Sequence, residues 1–280
     1  MYGQIDMEKL HQNMLNNYTS DIFDVEKDEK DSIKLGLFDI YRKASKQDRK
    51  LVDVLINLLN VLPTENLLEH KVEETELING YLQPILSPLF QARKIAVILM
   101  AVYLILYSFN RLNTKTDLKN HDKRPDGGCV LIEKRRISQY TGFAEVKADY
   151  QKNNAHQTHG DLLRLALFAS NGYDEYNTEC ILVLQAIGLN ITAYGFTQHA
   201  SGATVMFELM KVQCPASLQE LPPFCMQLNK LRMLQQFYDN YCSETASSNR
   251  KRKSPAHVDL NLDRILNTHQ QKHMKPSVDF

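Results

Sequence analysis

Three residues of this chain have the types and spacing to do chemistry together: Asp126, in Arg124-Pro125-Asp126-Gly127, and Glu145 and Lys147, in Gly142-Phe143-Ala144-Glu145-Val146-Lys147. Successive side chains of an extended strand point to opposite faces, so Glu145 and Lys147 share one face while Val146 points into the other. If Asp126 stands at the mouth of the neighbouring strand, two acids and one ammonium converge on a small volume. Oxygen clusters of this kind bind hard divalent cations such as Mg²⁺. An acid pair with a nearby ammonium is a layout suited to phosphodiester hydrolysis.

Positioning these residues requires a hairpin. The stretch from Gly128 to about Glu133 reads as a strand, Lys134, Arg135 and Arg136 as a polar connection, and the segment through Lys147 as the returning strand. Pro-Asp-Gly is also an ordinary turn tripeptide, because proline presets φ, aspartate bonds its own backbone and glycine permits positive φ. Glu145 and Lys147 can equally be the solvated face of an edge strand. Against that bland reading, Phe143, Ala144, Val146 and Ala148 make the segment look mostly buried, and buried charges need partners or a metal.

Pro-Asp followed by Glu-x-Lys on an adjoining strand, and then by a helix, resembles the PD-(D/E)XK nuclease superfamily over roughly residues 73–214. Gly80-Tyr81-Leu82-Gln83-Pro84-Ile85-Leu86 before the motif and Asp161-Leu162-Leu163-Arg164 after it resemble a fungal family with nuclease-like cores. The resemblance implies an α/β fold: a mixed central sheet flanked by helices, here with a helical N-terminal extension. It implies Mg²⁺ or Mn²⁺ held by Asp126, Glu145 and the carbonyl of Val146, with Lys147 orienting or helping to deprotonate the attacking water. In this superfamily a carboxylate from the preceding helix often completes the metal shell, and Glu76 is the choice over Glu73 and Glu74. The implied substrate is nucleic acid, DNA rather than RNA. A nuclease fold that has lost turnover and binds nucleic acid or a protein partner is the alternative, and a membrane-associated protein a third.

The remaining chain divides by pattern. Residues 1–32, with the charge run at 24–31, read as a polar tail. Residues 33–72 form a helical extension, Leu51, Val54, Leu55, Leu58 and Leu59 recurring at helical spacing until Pro63 stops them. Residues 73–242 form the core and 243–280 a polar, partly basic tail. Ile95 to Phe109 carries no charge, yet at 15 residues it falls short of the roughly 20 that span a bilayer. The expectation there is a buried helix without stable membrane insertion. A helix starts at Thr158-His159-Gly160-Asp161, with Thr158 as its cap, and three strands follow at 180–187, 191–196 and 204–212, then a final helix over 218–241.

Composition narrows the classes without choosing among them. Lys+Arg and Asp+Glu both number 33, so net charge supplies no global attraction to a polyanion. Five scattered cysteines without a CxxC pair argue against a disulfide scaffold and a zinc knuckle, and for reduced thiols in the nucleus or cytoplasm. His156 and His159 have HxxH spacing but lack a third ligand, and Gln185 reads as a satisfied core or edge glutamine. Arg250-Lys251-Arg252-Lys253 suits nuclear import or phosphate attraction.

Overall fold

The computed structural model describes residues 8, 12, 27–90, 95–99, 125–133, 136–176, 178–199 and 201–242. Helix α1 (Lys27–Lys43) and helix α2 (Lys46–Val61) open the described chain. Ser45 caps α2 by accepting from the Asp48 N–H at 3.1 Å, and the chain leaves the helix at Leu62, just before Pro63. Helix α3 is a single rod built from Glu74–Glu76, a π-helical stretch Leu77–Leu82 and Gln83–Phe90. Pro88 lies inside it without breaking it. A proline at this position has no N–H for the carbonyl of Pro84, four residues back, and Asn57 Nδ2 of α2 donates to that carbonyl instead at 3.1 Å.

Six strands then form one mixed sheet in chain order: β1 (Ile95–Leu99), β2 (Gly127–Glu133), β3 (Arg136–Lys147), β4 (Ile181–Ile187), β5 (Asn190–Gln198) and β6 (Thr204–Gln213). All neighbours are antiparallel except β3 and β4. A parallel pair needs a long crossover, and helix α4 (Ala155–Tyr176) supplies it. The fold is therefore α/β, as expected. Ile95 to Phe109 is corrected in its first part: residues 95–99 are the edge strand paired with β2, not a helix, and residues 100–109 lie outside the described residues. Among the described residues no helix is long and apolar enough to cross a membrane.

Alternation along β3 divides the core in two. Ala144 and Val146 enter a large apolar cluster with Leu51, Leu55 and Leu58 of α2, Leu82 and Leu86 of α3, and Leu231 and Leu234 of helix α6 (Leu228–Tyr241). Phe143, on the opposite side, packs with Leu165, Phe168 and Ala169 of α4. Glu145 and Lys147 follow Phe143 at two-residue intervals and so face α4 as well.

The segment 33–72 is largely helical, and its leucines are continuous with the apolar layer beneath the sheet. Residues 27–32, assigned to a tail, are helical in α1. The last helix is stepped: helix α5 (Leu221–Phe224), carrying two prolines in its first turn, precedes α6. The basic cluster at 250–253 lies outside the described residues.

Close approach of the central strands depends on two glycines, Gly128 between β2 and β3 and Gly142 between β3 and β4. A methyl group on Gly128 would stand 2.3 Å from the carbonyl oxygen of Gly142, and one on Gly142 would stand 2.9 Å from that of Leu182. The turn between β4 and β5 holds Gly188 at φ +56°, and its N–H donates to the Lys147 carbonyl at 2.7 Å, pinning the end of β3.

Candidate active site

β2 enters the sheet at Gly127, paired with Ala144, so Asp126 stands one step further along, opposite Glu145. Asp126 Oδ2 accepts from the Val146 N–H at 2.8 Å, which ties the mouth of β2 to the strand that carries the other two residues. The expected convergence of Asp126, Glu145 and Lys147 is present. Glu145 is only 2% exposed in its side chain and Lys147 16%.

Two further residues, both on α4, complete the cluster. Asp161 and Arg164 lie one helical turn apart and are paired with each other, and Arg164 Nη2 also donates to Glu145 Oε2 at 3.1 Å. Lys147 Nζ lies 3.6 Å from Asp161 Oδ2 and 3.3 Å from Glu74 Oε1 at the start of α3. Its contact with the Val146 carbonyl is 3.4 Å. Glu76, expected to join the site, is exposed, while Glu74 reaches Lys147 and Glu73 bonds the Tyr150 hydroxyl at 3.1 Å and Lys71 at 2.7 Å. Glu74 and Glu76 are two residues apart on a helix and cannot face the same neighbour, so Glu74, not Glu76, is the carboxylate of α3 that reaches Lys147.

Four carboxylates, Glu74, Asp126, Glu145 and Asp161, thus face two cations, Lys147 and Arg164, leaving two formal negative charges in excess. The imbalance shows in the protonation equilibria. Burial, and next the charge of Asp126, push the Glu145 carboxyl up to about 9, against the pull of Arg164. Burial raises Asp161 as well, with Arg164 and Lys147 opposing. Burial pulls the Lys147 ammonium down, but Asp161, Glu74, Asp126 and Glu145 together outweigh it and hold it above the ordinary lysine value. Lys147 is therefore a fixed cation at neutral pH, suited to stabilising an anion rather than to accepting a proton.

The residues present fit a hard divalent cation on one specific observation. Glu145 Oε1 is buried and accepts no hydrogen bond, and it belongs to a carboxyl group destabilised as an anion by its neighbour Asp126. A proton held between the two acids, or a cation, relieves both conditions. Among the described residues, no three His, Cys, Asp or Glu side chains are grouped as a ready-made cage for a metal ion. The donors on offer are the two carboxylates and, as expected from the sequence, the main-chain oxygen of Val146.

Other singled-out residues fall elsewhere. Gln185 pairs with Glu145 across β3 and β4, but its amide donates to the Thr158 carbonyl at 2.8 Å, fastening the first turns of α4 to the sheet. Thr158 does not cap α4. The helix begins three residues earlier, where Asn154 Oδ1 accepts from the Gln157 N–H at 3.2 Å. His156 and His159 are exposed on its first turns. All five cysteines are buried free thiols.

No family model matches this chain, and neither does any curated protein or any solved structure.

Proposed function

We propose that the cluster at the ends of β2 and β3 is the active site of a divalent-cation-dependent nuclease, built on a core of the PD-(D/E)XK type and acting on DNA phosphodiesters. The observation that carries this reading is the pairing of Asp126 with Glu145 around a buried, undonated oxygen, Glu145 Oε1. Asp126, Glu145 and the carbonyl of Val146 would hold Mg²⁺ or Mn²⁺, and two excess negative charges match one such ion. When bound, the cation supplies an acidified water and neutralises charge developing at phosphorus.

The chain's own residues do the rest. Asp126, with one oxygen fixed by the Val146 N–H, is the stationary ligand. Glu145 carries the adjustable charge, because its carboxyl is protonated at neutral pH until a cation competes for it. Lys147, kept protonated by four acids, stabilises the anionic transition state from beside the carboxylates. Packing of Phe143 against Phe168 on the same face keeps water away from one flank of the cluster.

Purified protein and Lys147→Ala are incubated with supercoiled plasmid in Mg²⁺, in Mn²⁺ and in EDTA. Cleavage by the wild type in either metal, abolished by EDTA and lowered about 10²- to 10⁴-fold by the substitution, is the expected result. Equal cleavage by both proteins, or none in either metal, removes the catalytic reading.

One observation favours a second reading, a nuclease fold that binds nucleic acid or a protein without turnover. Lys147 is engaged by Glu74 and Asp161, and Arg164 by Glu145 and Asp161, so the cluster's own cations already sit on its acids. Oligonucleotide binding that persists in EDTA, without cleavage in any metal, would select it.

A further inference from the structure

We infer that Arg164 is the positioning residue of this site: anchored by Asp161 one helical turn away, it grips Glu145 Oε2 and leaves Oε1 as the oxygen offered to the cation. The inference rests on the cation reading above and concerns how the affinity for the ion is set.

Glu145 has rotatable bonds enough to place either oxygen, or neither, beside Asp126. Two restraints remove that freedom. Its side chain is 2% exposed and its strand is pinned on both sides, by Asp126 at Val146 and by Gly188 at Lys147. Arg164 Nη2 then fixes one oxygen at 3.1 Å, while the same nitrogen is held by Asp161, whose own side chain is 7% exposed. α4 cannot shift to relax the grip, because Leu165, Phe168 and Ala169 are locked into the apolar layer with Phe143 and Ile181. Guanidinium presents its donors in a rigid planar fork, which suits such orientation better than an ammonium on a flexible stem. Groups that orient ligand side chains in this way typically change metal affinity about 10- to 100-fold when removed.

A plain counter-charge would behave in the opposite way. Arg164 is a positive group in hydrogen-bond contact with a proposed ligand, so if it served only to balance charge, its removal would take away a repulsion and tighten cation binding. The two roles therefore predict opposite signs.

The measurement is Mn²⁺ binding to the full-length protein, read from the electron paramagnetic resonance signal of free Mn²⁺ without nucleic acid, for wild type, Arg164→Ala, Arg164→Lys and Arg164→Gln, each checked for folding by circular dichroism. Weakening by about 10- to 100-fold in Arg164→Ala, with only partial recovery in Arg164→Lys, is the expected result. Unchanged or tighter binding in Arg164→Ala overturns the inference. If the alanine variant does not fold, Arg164→Gln decides. It keeps a neutral donor, so affinity close to wild type supports positioning and tighter binding overturns it. Asp126→Asn and Glu145→Gln separate this failure from that of the cation reading. If the wild type binds no Mn²⁺, or binds it undiminished in both of those variants, the cation reading fails and takes this inference with it; if those variants lose binding and Arg164→Ala does not, only Arg164 has been misassigned.

Discussion

Two buried charge clusters in this molecule are built in opposite ways. Asp48 of α2 and Arg232 of α6 form a closed pair: Arg232 Nε and Nη2 donate to Asp48 Oδ1 at 3.0 and 2.7 Å, Ser45 donates to Oδ2 at 3.1 Å, and Arg232 Nη1 donates to Asn229 at 2.9 Å. One acid meets one base. The cluster on β3 and α4 instead sets four acids against two bases and leaves Glu145 Oε1 and Arg164 Nε buried without hydrogen-bond partners. The first arrangement is what a helix interface needs to hold register. The second retains unmet electrostatic demand, which is the condition expected where a ligand is to bind.

Breaking the closed pair should have the larger effect on stability. Arg232→Ala leaves Asp48 buried without its counter-ion and is expected to cost about 3–5 kcal/mol by urea unfolding. A loss under about 1 kcal/mol would mean that the pair is solvated and the contrast overdrawn.

The open cluster should respond with the opposite sign. Glu145→Gln, without divalent cation at pH 8, is expected to stabilise the protein by about 1–3 kcal/mol, because the amide spares the proton uptake that folding demands of a carboxyl ionised in the unfolded chain, and to abolish metal-dependent cleavage. The same physics gives a pH profile. Glu145 holds its proton up to about 9 in the folded chain, against an ordinary value of 4.5, so the folded state binds more protons than the unfolded state between those limits. Stability from this group is complete below the lower limit and declines as pH rises through the window. The melting temperature of cation-free wild type should therefore fall between pH 5 and 9, Mg²⁺ should offset the fall, and Glu145→Gln should flatten it. A cation-free profile that rises over this range would overturn the assignment.

The smallest expected effect is a control outside both clusters. Asn154→Ala removes the side-chain cap of α4 and should cost about 1 kcal/mol. Mn²⁺ affinity should be unchanged, since α4 stays fastened through Gln185 and its apolar face. If affinity drops as far as in Arg164→Ala, helix stability rather than Arg164 itself governs the site.

The hairpin of β2 and β3 was legible because alternation, a short polar connection and Pro-Asp-Gly all agreed, and the placing of Asp126 opposite Glu145 followed from it. Ile95–Leu99 reads as part of a helix in the sequence because an unbroken apolar run has no period to tell strand from helix. The sequence does not separate Glu74 from Glu76, because α3 changes to π-helical winding at Leu77 and nothing in the residue types marks which way its first turn faces. Thr158 through Asp161 imitates a helix start, although Asn154 holds that position. Asp161 and Arg164 were visible as a pair, but bridging to Glu145 and Lys147 is a long-range property that only the packing of α4 on β3 creates.

Gly128 and Gly142 carry no functional group, yet Gly128 sets the approach of the two strands that bear the acid pair, and Gly142 that of β3 to β4. Each allows neighbouring backbones an approach that a single methyl would forbid, and Gly128 lies two residues from Asp126 while pairing with the residue two before Glu145. The gap across which a cation would be shared is thus gauged by the hydrogen atom that Gly128 carries in place of a side chain. Any lineage that replaces Gly128 must reshape the jaw of the site before altering one of its teeth.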